Sequence, residues 1–212
     1  MSEQEIDFDY IATLNIPIVG REEIEAILNM TKGERFMKIK ELQKEAHNDA
    51  KEKGWWEQER SAAEIYALIH SEISEAVECA RNGEPPVWYF RGQNIEGYPQ
   101  NGEKPLGELI ELADVVIRIL DWSQKRNYTL KVSEPFVKDD EFEGFNHLEV
   151  YNYFHETLAC KNREDNERMH LEYFIGQIWS WCIYKQWDLW KAVRCKMDYN
   201  KTRPIRHGGK KH

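Results

Sequence analysis

The stretch that most constrains this chain runs from Glu64 to Arg81, Glu-Ile-Tyr-Ala-Leu-Ile-His-Ser-Glu-Ile-Ser-Glu-Ala-Val-Glu-Cys-Ala-Arg. Ile65, Leu68, Ile69, Ile73, Ala76 and Val77 recur at helical spacing and mark one apolar face. Ser61 and Glu64 have capping-box spacing at its start, and Asn82-Gly83 stops it. The acids are misplaced for a solvent face. Glu72 lies three residues after Ile69 and four before Ala76, on or beside the apolar stripe, and Glu75 shares its side. Carboxylates are seldom buried without a partner, so a helix that turns two of them inward calls for a cation.

Gly107 to Asn127 repeats the arrangement. Glu111 and Asp114 are again three apart, within a run that includes Val115, Val116, Ile117, Ile119 and Leu120. Packed antiparallel, two such helices place four acids around one point. Four like charges repel unless a divalent cation neutralises them, and an all-oxygen ligand set suits Mg²⁺, with Mn²⁺ as a substitute. The bland alternative is a pair of solvated acidic faces, Glu72, Glu75 and Glu78 on one helix and Glu108, Glu111 and Asp114 on the other. Two pairs, both set against strong apolar runs, favour the metal site.

The last helix is expected from about Asp188 to Thr202, ending before Pro204. Lys196, Asn200 and Arg203 follow i, i+4, i+7 spacing and share a face. An acidic chain of net charge −9 that gathers Lys191, Arg194, Lys196, Lys201, Arg203, Arg206 and Lys210 here has a use for positive charge, such as a triphosphate. The same net charge argues against a general nucleic-acid surface. The chain has no Walker-type glycine loop.

Glu72-Ile-Ser-Glu75, Glu111-Leu-Ala-Asp114 and the segment from Lys196 through Asn200 and Arg203 to Lys210 together resemble the all-α nucleoside triphosphate pyrophosphohydrolases, the MazG-like and dimeric dUTPase-like proteins. The resemblance covers about residues 40–127 and 190–211. It implies an all-α, MazG-like antiparallel helical bundle. It implies Mg²⁺-dependent hydrolysis of a ribo- or deoxynucleoside triphosphate to the monophosphate and pyrophosphate. Glu72, Glu75, Glu111 and Asp114 would hold the metal, and Glu72 or Glu75 would act as general base. Lys196 and Asn200 would contact phosphate or sugar, with Arg203 on the same face. Trp55 or Trp56 would stack on the base; the plainer reading makes one of them a plug at the end of the bundle. The gap between Glu75 and Glu111 is longer than in most members, and its Pro- and Gly-rich stretch, residues 84–105, reads as a loop, either a lid or a packed insertion. A non-catalytic nucleotide- or metal-binding helical protein is the alternative function. A di-iron bundle needs two Glu-x-x-His motifs, and only Glu167-Arg-Met-His170 is present.

Residues 1–33 read as an N-terminal elaboration with a short helix from Arg21 to Met30, and 34–212 as one helical domain. Within it, 34–127 forms the metal-binding half and 145–205 a second half that echoes the first. Tyr66, His70 and Ile73 match Tyr151, His155 and Leu158. Leu112, Val115, Val116, Ile119 and Trp122 match Leu171, Phe174, Ile175, Ile178 and Trp181. The acids are not kept: Thr157, Cys160, His170 and Tyr173 stand at the positions of Glu72, Glu75, Glu111 and Asp114. The expectation is an internal repeat whose second helix pair packs on the first and completes a four-helix core, chance matching of helical patterns being the alternative. A self-sufficient monomer would follow from that repeat, and a homo-oligomer from the resemblance. Trp179, Trp181, Trp187 and Trp190 are expected in the core or at an oligomer surface. Cys79, Cys160, Cys182 and Cys195 form no Cys-x-x-Cys pair and read as reduced thiols of a cytoplasmic protein. No apolar run is long enough to span a bilayer, and no signal-peptide pattern opens the chain.

Overall fold

The computed structural model describes residues 32–90, 104–132, 135, 142–159 and 166–206. These form six helices and two short strands: α1 (Lys32–Glu52), α2 (Ala62–Arg81), β1 (Trp88–Phe90), β2 (Lys104–Leu106), α3 (Glu108–Lys125), α4 (His147–Leu158), α5 (Glu167–Tyr184) and α6 (Leu189–Thr202). The fold is all-α apart from the strand pair. Among the described residues no helix is long and apolar enough to cross a membrane. The N-terminal elaboration up to residue 31 lies outside the described residues.

Helix α3 is the centre of the fold. It touches α1, α2, α5 and α6. Its apolar residues extend around most of its circumference, and Ile110, Leu112, Val115, Val116, Ile119 and Leu120 are fully buried. A helix enclosed by neighbours needs that composition, whereas α2, with one solvent side, keeps a stripe. Helix α2 packs on α3 and α4, and α4 packs on α5. One apolar cluster runs through all six helices, so the described residues share a single core. The capping box of α2 forms: Glu64 N donates to Ser61 Oγ at 3.2 Å, and Ser61 N donates to Glu64 Oε2 at 2.6 Å.

The 84–105 stretch departs from the loop expected of it. Its two ends pair as an antiparallel ladder, with Trp88 opposite Leu106, Tyr89 opposite Pro105 and Phe90 opposite Lys104. Aromatic residues favour a pleated strand, and a two-stranded ribbon tolerates proline because both strands are edges. The lid expected there falls on 91–103, outside the described residues. Gly107, at φ 110°, turns β2 into α3. A Cβ there would come within 2.8 Å of the Pro86 carbonyl oxygen and closer still to that of Pro85. Only glycine lets the chain pass so close to this backbone.

The echo between the halves extends to local geometry. Asn146 and Glu149 form a capping box on α4 at the positions of Ser61 and Glu64 on α2. Ile65, Tyr66, Ile69 and Ile73 are buried, and so are their counterparts Val150, Tyr151, Phe154 and Leu158. Helices α3 and α5 end alike. Asn127 (φ 57°) and Gln186 (φ 58°) occupy matching left-handed positions. Tyr128 N donates to Ser123 O at 2.8 Å, as Trp187 N donates to Cys182 O at 2.7 Å. Arg126 lies over Trp122, as Lys185 lies over Trp181. Where α2 meets α4, matched residues face each other: the Nδ1 atoms of His70 and His155 are 2.8 Å apart, in rings tilted by only 10°.

Trp179, Trp181 and Trp190 are buried in the core, and Trp187 packs against it. Cys79 and Cys182 are buried free thiols and Cys195 is a half-buried one; Cys160 lies outside the described residues.

Candidate functional site

A cavity of about 290 Å³ opens between α1, α2, α3, β2 and α6. Glu72 and Glu75 reach it from α2, Glu111 and Asp114 from α3, and Lys196 and Asn200 from α6, with Arg203 just beyond. Trp55 and Trp56 line it from the α1–α2 connection. Helical spacing explains the convergence. Each acid pair is one turn apart on the side of its helix that faces the other.

The carboxylates differ in surroundings. Glu72 and Glu111 are each only 5% exposed, while Glu75 is exposed, so one acid of α2 turns inward rather than the two expected. Glu72, Glu75 and Glu111 each offer an oxygen within 4.8 Å of the others, close enough to share one cation. Asp114 stands apart from this trio, with Oδ2 2.8 Å from Lys196 Nζ. Glu72 accepts Arg118 Nε at 2.7 Å and Arg118 Nη2 on the same oxygen, Oε1. Burial pushes the Glu111 carboxyl up to about 8; Lys196 opposes the rise, and Asp114, Glu72 and Glu75 add to it. Burial and then Asp114 raise Glu72, against Arg118. Burial works against the Lys196 ammonium, but Asp114 and Glu111 outweigh it and hold its pKa above the ordinary lysine value.

This donor set fits a hard divalent cation. Three convergent carboxylates supply oxygen ligands only, and a cation would offset the burial and mutual repulsion that drive Glu72 and Glu111 toward their neutral forms. The Asn200 side-chain oxygen lines the same cavity, buried and without a hydrogen-bond partner, as does Asp49 Oδ2. Orphaned buried acceptors of this kind are uncommon in a finished protein interior and suit a site that awaits a ligand.

No family model, no curated protein and no solved structure matches this chain.

The far wall of the cavity is aromatic. Trp56 Nε1 donates to Asp121 Oδ1 at 2.9 Å, and His47 Nδ1 lies 2.6 Å from the same oxygen. Trp56 also stacks on Trp122, with ring planes 15° apart and centroids 6.3 Å apart. It thus packs against the core at the bundle end, as the plainer reading expects, and also borders the cavity. Arg60 lies over the Trp55 ring.

Several lining residues escape sequence reasoning. Arg118 and Asp121 lie four and seven residues after Asp114, on the cavity side of α3, so helical spacing alone could have marked them. Lys104 carries no such signal, because it arrives through the strand pairing. It is half-buried, and burial followed by repulsion from Lys196 lowers its pKa. Lys53 lines the cavity and pins the end of α6, with Nζ donating to Lys201 O at 2.7 Å and Arg203 O at 2.5 Å. Glu108 is not on a solvated face: it is buried, accepts the Tyr151 hydroxyl and lies 2.6 Å from His147 Nδ1.

Proposed function

We propose that this protein is a divalent-cation-dependent nucleoside triphosphate pyrophosphohydrolase with a MazG-like helical bundle. The observation that carries this reading is the meeting of both carboxylate pairs, the cationic face of α6 and Trp56 around one cavity. Glu72, Glu75 and Glu111 would hold Mg²⁺, with Asp114 completing the set once freed from Lys196. The cation would supply Lewis-acid stabilisation of charge on the phosphate oxygens. Lys196, Lys104 and Arg203 counter the remaining phosphate charge. Asn200 has a free acceptor for a sugar or base donor, and Trp56, whose ring stacks on Trp122, borders the space a base would enter. Glu75 is the exposed carboxylate of the trio and the best placed to take a proton from an attacking water at the α-phosphorus, with pyrophosphate leaving.

The test is incubation of the purified protein with Mg²⁺ and a panel of ribo- and deoxynucleoside triphosphates, with chromatography of the products. Monophosphate plus pyrophosphate is expected. Diphosphate plus phosphate would keep the metal site and overturn the position of attack. Binding of nucleotide without turnover under Mg²⁺ or Mn²⁺ would make this a non-catalytic binding protein. Glu75→Gln and Asp114→Asn are each expected to lose at least about 100-fold in turnover while keeping the helical circular dichroism spectrum.

A further inference from the structure

We infer that Lys196 is a built-in counter-cation, which the divalent metal displaces and which then serves the phosphate. This rests on the metal-dependent reading above and adds to it the coupling between the two ligands. Lys196 is only 4% exposed, and its ammonium is 2.8 Å from Asp114 Oδ2, with Glu111 and Glu72 as its next strongest charge partners. Those are the acids on which the metal depends, and two cations cannot share one small carboxylate cage without strong repulsion. A lysine has a flexible stem that can carry its charge elsewhere, which the short Asp114 side chain cannot do. Lys104 and Arg203 line the same cavity, and burial, then Lys196 and Arg203, disfavour the charged form of Lys104, so that side is prepared for an anion. The freed ammonium of Lys196 moves toward that side, where a polyphosphate supplies the negative charge it has lost.

Two consequences follow. Metal alone binds weakly, because it must break the Lys196–Asp114 pair without replacement. Metal and polyphosphate bind each other's complex more tightly than either binds the free protein, and linkage makes the effect reciprocal.

The experiment compares Mn²⁺ binding to the wild type and to Lys196→Met, without nucleotide, by electron paramagnetic resonance of free Mn²⁺. The expected result is affinity at least about tenfold higher in the variant. If the wild type binds Mn²⁺ and the variant binds it equally or more weakly, the counter-cation role is overturned and the metal site stands. If neither binds Mn²⁺ at millimolar concentration, the metal reading fails and takes this inference with it. Circular dichroism checks the fold, and Lys196→Gln is the second variant. Should both misfold, the ¹⁵N-labelled wild type decides. The buried Lys196 ammonium resonance is expected to weaken into solvent exchange on Mg²⁺ addition, and its persistence at saturating Mg²⁺ would overturn the inference.

Discussion

Replacing Glu111 with Gln should stabilise the metal-free protein, and more so as the pH rises. Burial and three neighbouring carboxylates lift the Glu111 carboxyl from an ordinary 4.5 to about 8. The folded state therefore holds this proton more tightly than the unfolded chain. Stability from that proton is fully present below about 4.5 and is lost as the pH rises through about 8. The separation between those values corresponds to at most about 5 kcal/mol; Glu72, raised in the same field, shares the effect, so about 2–4 kcal/mol is the expected share. Glutamine mimics the protonated acid and does not titrate. For a chain of 212 residues, that share moves the unfolding midpoint by roughly 5–15 °C. The assay is thermal unfolding from pH 5 to pH 9 in the presence of a chelator. Wild type and Glu111→Gln should lie closest near pH 5, separate up to about pH 8 and run level above it, the variant being the more stable. Added Mg²⁺ should recover the wild type at pH 8.5 and leave the variant little changed. Parallel curves across the range would refute the argument, since Glu111 would then be ionised in the folded protein without cost.

Gly107→Ala should cost at least about 2 kcal/mol in chemical denaturation, because a Cβ collides with the Pro85 and Pro86 carbonyls and φ is 110°. Gly83→Ala, which meets nothing within 4 Å but also has positive φ, should cost only about 1 kcal/mol and serves as its control. Asn127→Gly and Gln186→Gly should each stabilise by roughly 0.5–1 kcal/mol, since both side chains occupy left-handed backbone at φ near 57°. Equal destabilisation by both would refute the C-cap account. Calorimetric titration with a non-hydrolysable nucleotide should give one site per chain, because the acids of the first helix pair have no counterparts in the second.

The periodicity of α2 and α3 made these helices and their inward acids readable, because the pattern that buries a face also places every residue relative to it. The ends of α2 and α6 were readable through Ser61, Gly83 and Pro204. What stayed hidden was set by partners distant in sequence. Pairing of β1 with β2 depends on residues on either side of a long connection, and no local signal brings Lys104 to the cavity. The choice of Lys196 as partner for Asp114, rather than a solvent-facing lysine, follows from how α6 lies against α3. Glu108 looked like one more surface acid until Tyr151 and His147 came to meet it. The echo between the halves was legible as matched apolar positions, but the matched helix ends and facing histidines emerged only in three dimensions.

The contact between His70 and His155 carries an asymmetry of its own. Two imidazoles that meet through the same ring nitrogen, 2.8 Å apart, cannot both be in the same state: one Nδ1 carries a hydrogen and the other must be bare. Two halves with matching caps, matching helix ends and matching buried faces are thus told apart at their meeting point by a single hydrogen. Exchanging the roles requires both rings to switch tautomer together, and a second proton forces them apart. A pair related by strict twofold symmetry would have to break that symmetry to make this bond. Within one chain the two histidines are already inequivalent, so their surroundings can favour one arrangement of the hydrogen over the other.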